Sequence, residues 1–207
     1  MTNIPEPFSL KISDYKISTL RIVETAFFAS TASLIWLIST YLSLNFILKI
    51  FFPIPTALVY LRWGKAAAIR TTTVSFLLLV VLQGFFQSIL FVIPYGILGI
   101  ILGFFWQQKA NWLISIFIGS LFTTFGRFFQ IWLASILVGE DLWLYITMEM
   151  TEILDWIFDL LGLLIQPSLF IVQIFALLMM LVSNTIYLFS VNLTASLLLN
   201  RFQKANG

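Results

Sequence analysis

The chain has 207 residues, of which 60% are hydrophobic and 10% charged, and its mean hydropathy is +1.02; soluble domains carry about a quarter charged residues, so a polytopic membrane protein is expected. The absence of cysteine and histidine removes disulfides, thiolate and imidazole metal ligands, thiol nucleophiles and imidazole bases, and with them most catalytic chemistries. The net charge of +2 and pI near 9.0 do not point to nucleic acid, because the basic residues flank apolar runs as membrane topology requires.

The sorting of the few charges is the main guide to threading. A spanning helix needs about 20 apolar residues across about 30 Å of hydrocarbon. Residues 1–24 form a polar segment carrying Lys11, Lys16 and Arg21, too long and too polar before the first apolar run for a cleaved signal peptide. The positive-inside rule places this segment in the cytoplasm. The first span is expected from about Thr25 to Phe46, leading outward. Phe51 to Leu61 is too short to span alone and starts with Pro53 and Pro55, so a short, tilted or broken returning helix is expected. It ends at the second basic cluster, Arg62, Lys65 and Arg70.

The next apolar stretch, Thr71 to Trp106, exceeds one span and has a natural break at Gln83 and Gly84. An out-and-back pair is predicted, roughly Thr71 to Leu82 and Phe86 to Trp106, returning to Lys109. Asn111 to Val138 crosses outward and Pro167 to Asn200 returns to Arg201 and Lys204. Six transmembrane helices in a single domain over 25–201, an all-α architecture with both termini cytoplasmic and a tail at 202–207, put every basic cluster except Lys49 inside. Six of the nine acidic residues then fall outside, between Glu140 and Asp159. Within that segment Glu149, Glu152, Asp155 and Asp159 cover one helical face about 120° wide, opposite an apolar face, which predicts an amphipathic helix on the outer interface.

Polar residues inside spans are the candidate site residues, since an ionisable group there costs about 2.5–3.5 kcal/mol on insertion scales and usually faces protein or water. Arg127 is the only such group in the predicted spans, and Gln130 follows one turn later. Gln83 and Gln87 bracket the outer turn between two helices, and Gln173 lies early in the last one. The five share a similar depth, as the lining of an outer-half ligand pocket would. Each glutamine, and Asn184, also suits a helix-to-helix hydrogen bond, and Arg127 suits an ion pair or snorkelling to headgroups. Small residues form packing stripes: Ala26, Ala29, Ser30 and Ser33 on the first helix, Gly99 and Gly103 on the fourth, and Ser115, Gly119 and Thr123 on the fifth. The first stripe is the candidate for docking a partner. No metal, phosphate-loop, nucleotide or serine-triad motif is present, and no cofactor is expected.

The segment FPIPTALVYLRWGKAAA from Phe52 to Ala68, with the run through Gly84, the Pro94, Tyr95, Gly96 turn and Gly99 to Trp106, resembles the YybS-like family of uncharacterised polytopic membrane proteins, particularly its cyanobacterial and plastid branch. The resemblance covers roughly Thr25 to Trp143. It implies a fold related to the substrate-binding S components of energy-coupling-factor (ECF) transporters, with six helices, both termini inside and a ligand pocket in the outer half. Those S components dock a transmembrane coupling subunit through small residues of the first helix, the role implied for Ala26, Ala29, Ser30 and Ser33. No vitamin-specific signature is present to name a ligand.

Two functions follow as expectations. One is a non-enzymatic, S-component-like protein binding a small ligand among Gln83, Gln87, Arg127, Gln130 and Gln173, with transport powered by partner subunits. The other is a scaffold or assembly factor for other membrane complexes, in a cyanobacterium photosynthetic ones. Either places the chain in the plasma or thylakoid membrane, in contact with lipid and other integral membrane proteins.

Overall fold

A computed structural model describes residues 6–42, 48–162 and 167–205. All regular elements among them are helical. Contacts divide the segment expected to be one domain into two compact units, Met1–Asn111 and Trp112–Gly207.

In the first unit, α1 (Glu6–Leu42) leads to a short 3-10 turn (Lys49–Phe51) and then to α2 (Ile54–Trp63), α3 (Lys65–Gln83), α4 (Phe85–Phe91) and α5 (Ile97–Gln107). The prolines set the start of α2: Pro53 is its N-cap and Pro55 stands in its first turn, where a missing N–H costs nothing. Gly64 ends it, with φ of +79°, its amide donating to the Tyr60 carbonyl at 2.8 Å. Gly84 repeats the device after α3, with φ of +89° and a bond to Val80 O. The chain therefore turns between helices without loops. Pro94 cannot donate to an α-helical ladder, and the backbone widens to a π-helical turn over Val92–Gly96 that joins α4 to α5.

Helix α2 is the centre of this unit. Ile54, Pro55, Thr56, Ala57, Val59 and Tyr60 are all buried against α1, α3 and α5. The close approach to α5 rests on the glycines at 99 and 103. A Cβ at Gly99 would lie 2.7 Å from both Pro53 O and Thr56 Cβ, and one at Gly103 would collide with Tyr60. The expected glycine stripe is thus the seat of the half-length helix.

Helix α1 packs on α3 through a reciprocal serine pair. Ser75 Oγ donates to Ala29 O at 3.1 Å, and Ser33 Oγ shares its one proton between Ala29 O at 3.0 Å and Ser75 O at 3.3 Å. Ala29 and Ser33 are buried in this contact while Ala26 and Ser30 remain exposed. The stripe read as one docking surface is therefore shared between an inward and an outward face.

The second unit holds α6 (Trp112–Val138), α7 (Leu142–Leu160) and α8 (Leu169–Ala205). Ser115, Gly119 and Thr123 of α6 are buried, as their small-residue pattern predicts, and α6 runs against α8. Gly139 closes α6 with φ of +77°. Asp141 then caps α7, accepting from the Trp143 and Leu144 amides at 3.0 and 3.2 Å. In α7 Thr147 and Leu154 are buried, while Glu149, Glu152, Asp155 and Asp159 are exposed, as are the apolar Leu144, Ile153 and, at its C-cap, Leu161.

Five segments among the described residues are long and apolar enough to cross a membrane: Ser18–Leu42, Lys65–Gln83, Phe85–Gln107, Trp112–Val138 and Leu169–Leu198. Helix α2 is not one of them. Its ten residues reach about 15 Å, half of the hydrocarbon core. The expected sixth crossing is thus a buried half-length helix. Many large apolar side chains stay exposed on the five segments, Val81 at 85% among them, as lipid contact requires.

Candidate ligand-binding groove

Arg127 lies 15 residues into α6 and 11 residues before its end. At about 1.5 Å per residue it is over 15 Å from either terminus, so a charge sits well inside a spanning helix. Its side chain is exposed, and its Nη1 donates to Gln130 Oε1 at 3.4 Å, a long bond. Among the described residues the ion pair is Arg62 with Glu24, and no carboxylate is within pairing distance of Arg127.

Beside Arg127 the three helices of this unit enclose a groove of about 350 Å³, at the lower end of the ~300–1,000 Å³ typical of small-molecule sites. Its polar residues are Arg127 from α6 and Ser183 and Asn184 from α8; its apolar wall includes Ile146 and Met150 from α7 and Met180 from α8. Asn184 is only 5% exposed. Its Nδ2 donates to Thr124 Oγ1 at 3.0 Å, which joins α6 to α8 three residues before Arg127. Asn184 therefore makes the helix-to-helix bond that its position suggested, and it also lines the groove.

The five residues expected to line one pocket have different surroundings. Arg127 and Gln130 are together on α6. Gln173 is exposed near the start of α8 and does not line the groove at Arg127. Gln83 and Gln87 belong to the first unit. Gln83 Oε1 accepts from Trp36 Nε1 at 2.8 Å, and its Nε2 is buried with no partner. Gln87 is exposed on α4. Trp36 continues from Gln83 into a closed aromatic cluster with Phe52, Phe91 and Tyr95, whose ring centroids are 5.0–6.4 Å apart. Phe52, Phe91 and Tyr95 are 1–3% exposed, so the cluster is filled core. Lys49, which the threading left outside, has its Nζ 6.0 Å from the Tyr95 ring.

Two features escape the residue-by-residue reading. Glu24 stands at the start of the first apolar run and looks like a stray acid among basic residues, yet it binds both Arg62 and Trp63. The groove's methionines are the other. Four of the five methionines of the chain are at 148, 150, 179 and 180, a clustering visible in the sequence, and three of them line the groove.

Long apolar helices, intramembrane packing on glycine and serine, and a lipid-exposed surface define a multi-pass α-helical membrane protein. The chain belongs to the DUF2232 family, described as "Predicted membrane protein", whose match covers residues 30–164. That range takes in α2 to α7, the last third of α1, and Arg127. No match was found among curated proteins or among solved structures.

Proposed function

We propose that this protein is a non-enzymatic membrane protein of the S-component type, which holds a small ligand at Arg127 and relies on partner subunits for any transport work. The observation that carries the reading is a guanidinium deep in a spanning helix, facing a groove with Ser183 and Asn184, and without a carboxylate in pairing distance among the described residues. An uncompensated charge at that depth is unfavourable by several kcal/mol, about 2.5–3.5 on insertion scales. A ligand oxyanion offsets that cost with charge-assisted, bidentate hydrogen bonds. The kinship with ECF S components, the YybS-like relationship, the six-crossing count with α2 as the short sixth, and cytoplasmic termini form part of the same proposal. The groove of the second unit replaces the five-residue pocket as its centre.

A second reading, a scaffold or assembly factor, is supported by Ala26 and Ser30, which leave a small-residue face of α1 open to another helix. One experiment separates them. The tagged protein and its Arg127→Ala variant are purified from native membrane in mild detergent, and co-purifying proteins and small molecules are identified by mass spectrometry. The ligand-binding reading expects a stoichiometric small molecule that the variant loses. Stable membrane partners with no ligand, unchanged in the variant, would replace it with the scaffold reading.

A further inference from the structure

We propose that the groove at Arg127 takes an amphiphile dissolved in the bilayer, with an oxyanion head and an apolar tail, in place of a water-soluble anion. This rests on the reading of the groove as a ligand site and names the class of ligand.

The acidic helix does not neutralise Arg127. Helix α7 turns Ile146, Met150 and Ile153 to the groove, while Glu149 and Glu152, between them in sequence, are exposed elsewhere on its surface. The helical period places residues 146, 150 and 153 on one stripe and the carboxylates off it. A guanidinium in a low-dielectric setting is left to pair with an anion from outside the unit.

The remaining walls select what that anion carries. One cation and two neutral polar side chains, Ser183 and Asn184, match a single head group, and Asn184 already commits one of its two amide N–H groups to Thr124. The rest of the lining is aliphatic or thioether, which leaves no set of hydrogen-bonding groups for a ligand that is polar throughout. Methionines 150, 179 and 180 are unbranched and adaptable, suited to a flexible chain. Access fits as well: Met179 at the groove is 44% exposed on α8, a spanning helix with many exposed apolar residues, and Ile153 is 41% exposed on α7, which exposes apolar side chains such as Met148 and Trp156 beside its carboxylates. A tail already in the membrane enters sideways without crossing water.

The test uses the full chain in phosphatidylcholine nanodiscs and a fatty carboxylate bearing a photoreactive diazirine in its tail. Labelled residues are mapped by mass spectrometry, with the unlabelled fatty carboxylate, the matching fatty alcohol and inorganic phosphate as competitors. Labelling is expected at Met150, Met179 or Met180, displaced by the carboxylate and not by the alcohol or by phosphate. Arg127→Ala is expected to weaken it by about tenfold to a hundredfold, and Arg127→Lys to restore part of it. Met180→Phe, which keeps the charge and narrows the groove, is expected to reduce labelling too and serves if the arginine variants do not fold. Equal competition by the alcohol, or labelling unchanged in Arg127→Ala or in Met180→Phe, overturns the amphiphile. Arg127-dependent binding of inorganic phosphate with no groove labelling overturns it while leaving the ligand site standing, and no Arg127-dependent binding of any probe removes both.

Discussion

Glu24 holds the last turn of α2 with both of its oxygens: Oε1 is 2.8 Å from Arg62 Nη1, and Oε2 accepts from Trp63 Nε1 at 2.7 Å. The Glu24 side chain is 17% exposed and that of Arg62 59%. The ion pair itself is therefore screened at one end and worth about 0–1 kcal/mol, whereas the indole bond is part-buried. Together they tie α1 to the end of a helix too short to cross the membrane alone.

The first prediction concerns that tie. Glu24→Ala is expected to destabilise the protein by about 1–3 kcal/mol, more than Arg62→Ala, because it leaves the Trp63 N–H unpaired as well. Glu24→Gln, which keeps an acceptor, should fall between them. Thermal unfolding in detergent ranks the three; an Arg62→Ala effect as large as that of Glu24→Ala would assign the tie to the ion pair.

The seat of α2 is the second. Gly99→Ala and Gly103→Ala each insert a methyl group into backbone or side-chain atoms of α2, and overpacking of this kind costs about 1–3 kcal/mol. Val81→Ala, on an 85% exposed side chain, is expected to change stability by less than about 0.5 kcal/mol. If the two glycine variants unfold at the wild-type temperature, α2 and α5 do not pack as described.

Gln83 and Trp36 form the third test. Gln83→Leu removes the acceptor of the Trp36 N–H and is expected to cost about 1–3 kcal/mol, whereas the double variant Gln83→Leu, Trp36→Phe should recover part of that loss, since neither polar group is then left alone. Additive losses would show that Gln83 serves something other than Trp36, the ligand pocket first assigned to it included.

Orientation can be read directly because the chain contains no cysteine. Gln107→Cys and Glu152→Cys place single thiols at exposed positions. A membrane-impermeant maleimide is expected to label position 152 from outside intact cells and position 107 only after permeabilisation. Labelling of both from the same side contradicts the proposed threading.

Much of the helix layout was legible in local sequence. The break at Gln83 and Gly84, the proline-led start of α2, the close contact at Gly99 and Gly103 and the exposed acidic side of α7 all follow from short-range chemistry: a missing N–H, a missing Cβ, or a period of 3.6 residues. The docking stripe shows where that legibility stops. Ala26, Ala29, Ser30 and Ser33 are equivalent by size and spacing, and only the position of Ser75, 42 residues beyond Ser33, makes Ala29 and Ser33 an internal contact. The same holds for the five polar residues assigned to one pocket, since similar depth along different helices does not specify which faces meet.

What the sequence determined by itself is the class of protein and several of its helix boundaries, those at Pro53 and Gly84 among them, because hydropathy, charge and backbone preference act over a few residues; the start of α1 at Glu6, well before the first apolar run, was not among them. Tertiary structure alone decided that Glu24 clasps Arg62 and Trp63, that Gln83 serves Trp36, and that Arg127 shares a groove with Asn184. Those relationships join residues 39, 47 and 57 positions apart or thereabouts along the chain, where the rotation and tilt of whole helices set the contact and no local signal records it.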